Sequence, residues 1–178
     1  MFHRTERLLL RPAWPEDWEM ILWGIGDERM VRNLAKAPWP YLPEHAQEFA
    51  RRGQDPRFPS FLLTLPESRG ARLIGCAGLG ETATGVELGY WIARPYWNRG
   101  YATEGARGVI EIARLLGHPR IEAGHYLDNP ASGRVLRKLG FQPTGAVRRR
   151  DCVARGEPTP CANYALDLQP EEMPARAA

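Results

Sequence analysis

The chain has 178 residues, 43% of them apolar, which is enough to bury one sizeable core and too few for two ordinary domains. Its 24 basic and 21 acidic residues leave a formal charge of +3, too near balance to imply a nucleic-acid partner. No signal-peptide core follows Met1-Phe2-His3-Arg4, and no run approaches the ~18 apolar residues of a membrane span. A cytoplasmic protein with no membrane partner is the expectation.

In chain order, residues 7–11 read as a short strand closed by Pro12. Pro15-Glu16-Asp17 opens a helix to about Trp23, with proline and acids in its first turn, and Asp27 caps a short second helix. Pro38, Pro40 and Pro43 alternate with bulky residues, so residues 37–43 form a stiff aromatic loop before a helix over about 43–52. Apolar strands at 61–65 and 73–79 flank a polar turn at Glu67-Ser68-Arg69-Gly70. A turn at 82–85 leads to a third strand, making an antiparallel meander. In that strand Val86, Leu88, Tyr90 and Ile92 alternate with Glu87, Gly89, Trp91 and Ala93, so one set is buried and the other faces a site.

Pro95 stops this strand, and from about Gly100 the apolar residues Ala102, Ala106, Val109, Ile110 and Ala113 recur at helical spacing. Small residues at Gly100 and Ala102, at a helix N-terminus just after a strand, suit an anion held by unpaired amides and the helix dipole. A glycine placed only for turn geometry gives the same pattern. The lysine and serine or threonine of a P-loop are missing, and so are the three spaced glycines of a dinucleotide fingerprint. The helix ends before Gly117-His118-Pro119. A strand over 120–126 follows this crossover and is expected parallel to the central strand. Asn129 caps another helix with Pro130 in its first position, and Gly140-Phe141 stops it. Residues 142–150 and 159–168 read as a hairpin, and 169–178 as a frayed tail.

Tyr90-Trp91-Ile92, residues 97–104 (Trp-Asn-Arg-Gly-Tyr-Ala-Thr-Glu), Asn129-Pro130-Ala131-Ser132 and Lys138-Leu139-Gly140-Phe141 resemble the GNAT superfamily of acyl-CoA N-acyltransferases. More narrowly they resemble its RimJ/RimL-type branch, whose usual first strand is matched by Glu6-Arg7-Leu8-Leu9-Leu10-Arg11-Pro12. The resemblance runs from about residue 7 to 168 in the family's order. Trp97 departs from the Gln or Arg usual at the start of the superfamily's pyrophosphate loop, and an aromatic there is common in the branch.

The resemblance implies one α/β (α+β) domain over residues 1–168. Its sheet is mixed and mostly antiparallel, with about seven twisted strands, flanking helices and a splayed parallel pair. The implied cofactor is acetyl-CoA. Main-chain groups near Trp91, Ile92 and Ala93 would hold its pantetheine arm. Amides from Asn98, Arg99, Gly100, Tyr101, Ala102 and Thr103 would hold its pyrophosphate, with Asn129, Ser132 and Arg137 or Lys138 as further contacts. Trp39 and Tyr41 are candidate walls of the acceptor pocket; packing of their loop onto the body is an equal reading.

Acyl transfer to an amine needs the carbonyl polarised, the amine deprotonated and the departing thiolate stabilised. Glu87, with space beside it at Gly89, is the candidate base; a surface ion pair is the competing reading. The family's usual acidic tyrosine is matched by Leu136, so that route is absent, and Ser132 is the candidate near the sulfur. Tyr126 is a further possible donor. The four histidines, His3, His45, His118 and His125, have no metal-ligand spacing, so no metal is expected. Cys76, Cys152 and Cys161 lack zinc-site spacing. They are expected as thiols, although Cys152 and Cys161 could face each other across the hairpin. Arg148-Arg149-Arg150 reads as a solvated strand edge or a steering patch.

The implied reaction is direct transfer of acetyl from acetyl-CoA to a primary amine, with a protein or peptide N-terminal α-amine as the favoured acceptor and a monomer or homodimer as the enzyme. A small amine such as an aminoglycoside, a non-catalytic acyl-CoA sensor, and a nucleotide-binding protein using the same turn are the alternatives.

Overall fold

The computed structural model describes residues 1–67 and 70–168. Eight strands form one sheet: β1 (His3–Arg4), β2 (Leu9–Arg11), β3 (Ser60–Glu67), β4 (Gly70–Thr82), β5 (Gly85–Ile92), β6 (Arg120–Tyr126), β7 (Gln142–Arg150) and β8 (Thr159–Asp167). Their order is β1-β2-β3-β4-β5-β6-β8-β7, and every neighbouring pair is antiparallel except β5 with β6. The strand beyond the seven expected is the two-residue β1. Among the described residues five α-helices flank the sheet: α1 (Trp18–Ile25), α2 (Glu28–Val31), α3 (Pro43–Arg51), α4 (Tyr101–Leu115) and α5 (Pro130–Lys138).

Alternation along the central strands divides the core in two. Leu63, Ile74, Leu88 and Ile92 pack with Val109, Ile110 and Leu136 of α4 and α5. Leu62, Leu73, Cys76 and Trp91 pack on the other face with Ile21, Met30 and Ala46 of α1, α2 and α3. Period two separates the sets along β3 and β5, and an irregularity in the β3–β4 pairing at Leu63–Thr64 shifts the phase in β4, so that Ile74 and Cys76 lie in different cores. Gly24 lets α1 come against Trp91, since a Cβ there would stand 3.0 Å from the indole. On the α1 side Arg11 and Asp17 form a buried two-bond pair, 2.7 and 2.6 Å, which joins β2 to the entry of α1.

The feature that makes a site is the joint between β5 and β6. Their register holds only at Glu87 opposite Glu122, although both strands run on. Beyond that point they part. The cysteines are free and buried, as expected of thiols. Residues 68–69 of the expected turn and the tail 169–178 lie outside the described residues.

Candidate active site

A cleft of about 790 Å³ runs through the gap between β5 and β6, reaching the α4 and α5 side at one end and the α1–α3 side at the other. The two ends differ in chemistry because β5 presents alternate residues to them. Tyr90 looks toward α5 and Glu87 toward the opposite face.

At the α4 end, Asn98 (φ 60°) and Gly100 (φ 82°) turn the chain sharply into the helix. The left-handed backbone at Gly100 is why glycine stands there. The first helical bond runs from the Glu104 amide to the Gly100 carbonyl, 3.0 Å. Among the described residues the amides of 98–103 donate to no main-chain acceptor, so a row of free N–H groups stands at the positive end of a 15-residue helix. Glu104 fixes this end to the chain start. It accepts from Thr5 Oγ1 (2.6 Å), the Arg7 amide (2.7 Å) and Arg7 Nε (2.7 Å). Burial raises the Glu104 carboxyl, but these bonds outweigh it and hold the group below its ordinary 4.5. Arg7 also donates to the Arg99 carbonyl at 3.1 Å and covers the Tyr101 ring.

Along the gap, the main chain of β5 alternates in direction. The Ala93 amide is spent on the Ile74 carbonyl at 2.8 Å, and the Trp91 carbonyl faces Gly75 of β4. Ile92 points the other way, its carbonyl accepting from Trp97 Nε1 at 2.6 Å, so Ile92 and, two residues back, Tyr90 aim their main chain into the cleft. Of the three residues expected to offer main chain there, Ile92 turns its main chain to the cleft side, with its carbonyl already held by the Trp97 indole, while Trp91 contributes its side chain as wall. Ala93 faces β4.

Beside the gap, Tyr90 Oη lies 2.8 Å from Ser132 Oγ and 3.3 Å from the Ser132 carbonyl. Burial pushes the Tyr90 phenol up to about 12, the bond to Ser132 working weakly against it. Asn129 caps α5 by accepting from the Ser132 amide at 3.4 Å. Leu136, one turn on, is fully buried in the core. Arg134 and Lys138 line the cleft, whereas Arg137 turns toward β8 and donates to Tyr164 Oη at 3.3 Å. Arg134 and Lys138 stand one turn apart on the cleft side, while Arg137, about 100° round the helix from Lys138, reaches β8 instead.

At the other end, Glu87 is held by Arg150 of β7. Both guanidinium NH groups donate to it, one to each carboxylate oxygen, and the Nη2 to Oε2 bond is 2.6 Å. Glu87 raises the already high pKa of Arg150, and burial opposes it. A Cβ on Gly89 would meet nothing within 4 Å, which leaves open floor next to Glu87. Tyr41, Phe49, Met30 and Leu34 line this end with His45, Glu48 and Arg52. Burial lifts the Tyr41 hydroxyl to about 12. Trp39 is 40% exposed and outside the lining, and Arg99 lies over Tyr96 rather than in the cleft. Tyr126 is committed, donating to the Asp151 carbonyl at 2.7 Å.

Three participants escape a reading of the sequence alone: Arg150, 63 residues from Glu87; the indole of Trp97; and the Tyr90 hydroxyl. Only the last has a signal, since a tyrosine on a buried strand face needs a partner for its hydroxyl.

Residues 7–142 match the family model described as an acetyltransferase (GNAT) domain. The chain is 30% identical to the uncharacterised N-acetyltransferase YoaA of Bacillus subtilis over 152 residues, covering 82% of this chain and 85% of that protein. Among solved structures it is similar to a GNAT-family acetyltransferase from Bacillus anthracis (TM-score 0.79, 23% identity, 94% and 98% of the two chains). It is also similar to RimL, a ribosomal L7/L12 α-N-protein acetyltransferase in complex with coenzyme A (TM-score 0.73, 16% identity, 94% and 98%).

Proposed function

The chain belongs to the GNAT acetyltransferase family and uses acetyl-CoA as acyl donor, and from that premise we propose that its acceptor is a peptide or protein N-terminal α-amine, acetylated directly in a ternary complex. The observation that carries the choice of acceptor is the state of Glu87. Each of its oxygens already accepts from Arg150, so it offers an amine its remaining lone pairs rather than a free carboxylate. An α-amine, with an ordinary pKa of about 8, needs little help to lose its proton, whereas a lysine near about 10.4 needs much more. RimL, which shares the fold, is an α-N-protein acetyltransferase, and this agrees with the assignment.

The cleft residues fit the donor. The free amides of 98–103 at the head of α4 suit a diphosphate, and Arg134 and Lys138 add positive charge on the same side. The main chain of Tyr90 and the amide of Ile92 suit the amides of a pantetheine arm, with Asn129 across the gap. Bound there, acetyl-CoA supplies the thioester carbonyl that the amine attacks. The acceptor enters from the α1–α3 end along Tyr41, over the open floor at Gly89. Glu87 orients the amine and takes its proton, directly or through a water. Ser132 stands on the donor side and donates to the departing sulfur.

The test is thiol release from acetyl-CoA with N-terminal peptides, polyamines, amino acids and aminoglycosides as acceptors. Turnover on peptides, with Glu87→Gln lowered about a hundredfold, is the expected result. Turnover confined to small amines would overturn the acceptor assignment.

A further inference from the structure

We propose that Tyr90 is a positioning residue for thiolate departure: its hydroxyl donates to Ser132 Oγ and so turns the serine O–H toward the gap where the sulfur leaves. The inference rests on the role given to Ser132 above.

Three observations carry it. First, the contact is short, 2.8 Å, and links β5 to α5 across the mouth of the β5–β6 gap. Second, the Ser132 amide is already served by the Asn129 side chain, so the cap of α5 does not require the serine hydroxyl. Third, Tyr90 is set for one role only. Its phenol is buried and stays protonated below about 12, so throughout the range in which amines react it has one proton to give, and Ser132 Oγ at 2.8 Å is the nearer of its two acceptors, the Ser132 carbonyl standing at 3.3 Å. Handing that proton to a thiolate, whose thiol lies near about 8.5, is uphill. Tyr90 therefore keeps its proton and fixes the direction of the next one.

The step balances without any added group. The amine nitrogen attacks the thioester carbonyl carbon, the carbon–sulfur bond breaks, and its electron pair goes to sulfur as thiolate. The amine proton goes to Glu87 or water. The Ser132 O–H donates a hydrogen bond to the thiolate, which takes its own proton from solvent on release.

The experiment compares wild type, Tyr90→Phe, Ser132→Ala and the double variant by single-turnover acetyl transfer to a peptide, with CoA affinity measured by calorimetry. Tyr90→Phe is expected to lower the transfer rate about tenfold, the equivalent of one lost neutral hydrogen bond, with CoA affinity within about twofold. The double variant should be no slower than Ser132→Ala, because Tyr90 acts through the serine. Multiplicative losses, a wild-type rate in Tyr90→Phe, or a loss confined to CoA affinity would overturn the inference. Absence of transfer by wild type itself would instead overturn the acyl-transfer reading beneath it.

Discussion

Replacing Arg150 by Met keeps the aliphatic stem and removes the fork that holds Glu87. The carboxylate left behind is 21% exposed and has no other side-chain donor among the described residues. A charge-assisted hydrogen bond contributes about 1.5–3 kcal/mol when desolvated. With Arg150 34% exposed, solvent screening brings the whole pair down to about 2 kcal/mol. The reverse change is milder, because in Glu87→Gln the amide oxygen still accepts from the guanidinium; about 1 kcal/mol is expected. Urea unfolding followed by circular dichroism reads both, with the slope m unchanged and the midpoint shifted. For a chain of this size, 2 kcal/mol corresponds to roughly 4–8 °C in Tm. A cost below about 0.5 kcal/mol for Arg150→Met, or greater damage from Glu87→Gln than from Arg150→Met, would refute this role of the pair.

Further outcomes follow from the same geometry. Gly89→Leu puts a side chain on open floor, so it should raise the acceptor KM at least about tenfold while leaving Tm and CoA affinity unchanged; unaltered acceptor kinetics would place the amine elsewhere. Glu104, despite the opposing pull of burial, and Asp128, through Arg155, are held below their ordinary 4.5 and 3.8. Groups with depressed folded pKa values stabilise fully above the unfolded values and lose that contribution as pH falls through the folded ones. Urea midpoints should therefore be level above about pH 5 and drop below 4.5, with a shallower drop in Glu104→Gln; a midpoint that rises on acidification would contradict this. Burial lifts the Cys76 thiol to about 12 and raises that of Cys161, and Cys152 is equally enclosed. A thiol reagent at pH ~8 should label none of the three quickly in the native protein and all three after unfolding; fast native labelling would count against the described burial.

Much of the fold could be read in advance because its signals are local. The change from period two over 86–92 to period 3.6 after Gly100, with Pro95 between them, marks β5, the turn and α4 in the chain itself. Asn129-Pro130 and Gly140 mark both ends of α5 in the same way. The parallel run of β6 follows from the crossover rule. In the cleft, the chain itself marks the turn whose amides at 98–103 stand free, the direction of the main chain at Ile92, and the places of Glu87, Tyr41, Asn129 and Ser132 along the lining. The rest depends on contacts between distant residues. Of the run Arg148-Arg149-Arg150, the first two are exposed and only Arg150 turns inward onto Glu87; Arg148 shares its strand face, so nothing in the run itself separates them. Arg134 and Arg137 are equally basic in sequence and neighbours on the helix, and the contact that draws Arg137 to Tyr164 while Arg134 lines the cleft lies 27 residues further on.

The most direct test of the account is to map the acetyl group by mass spectrometry on a peptide that carries both a free α-amine and an internal lysine, after incubation with the protein and acetyl-CoA. The account predicts acetylation of the α-nitrogen, dependent on Glu87, with the lysine unmodified. Acetylation of the lysine, or of neither amine while a small amine is consumed, would contradict it.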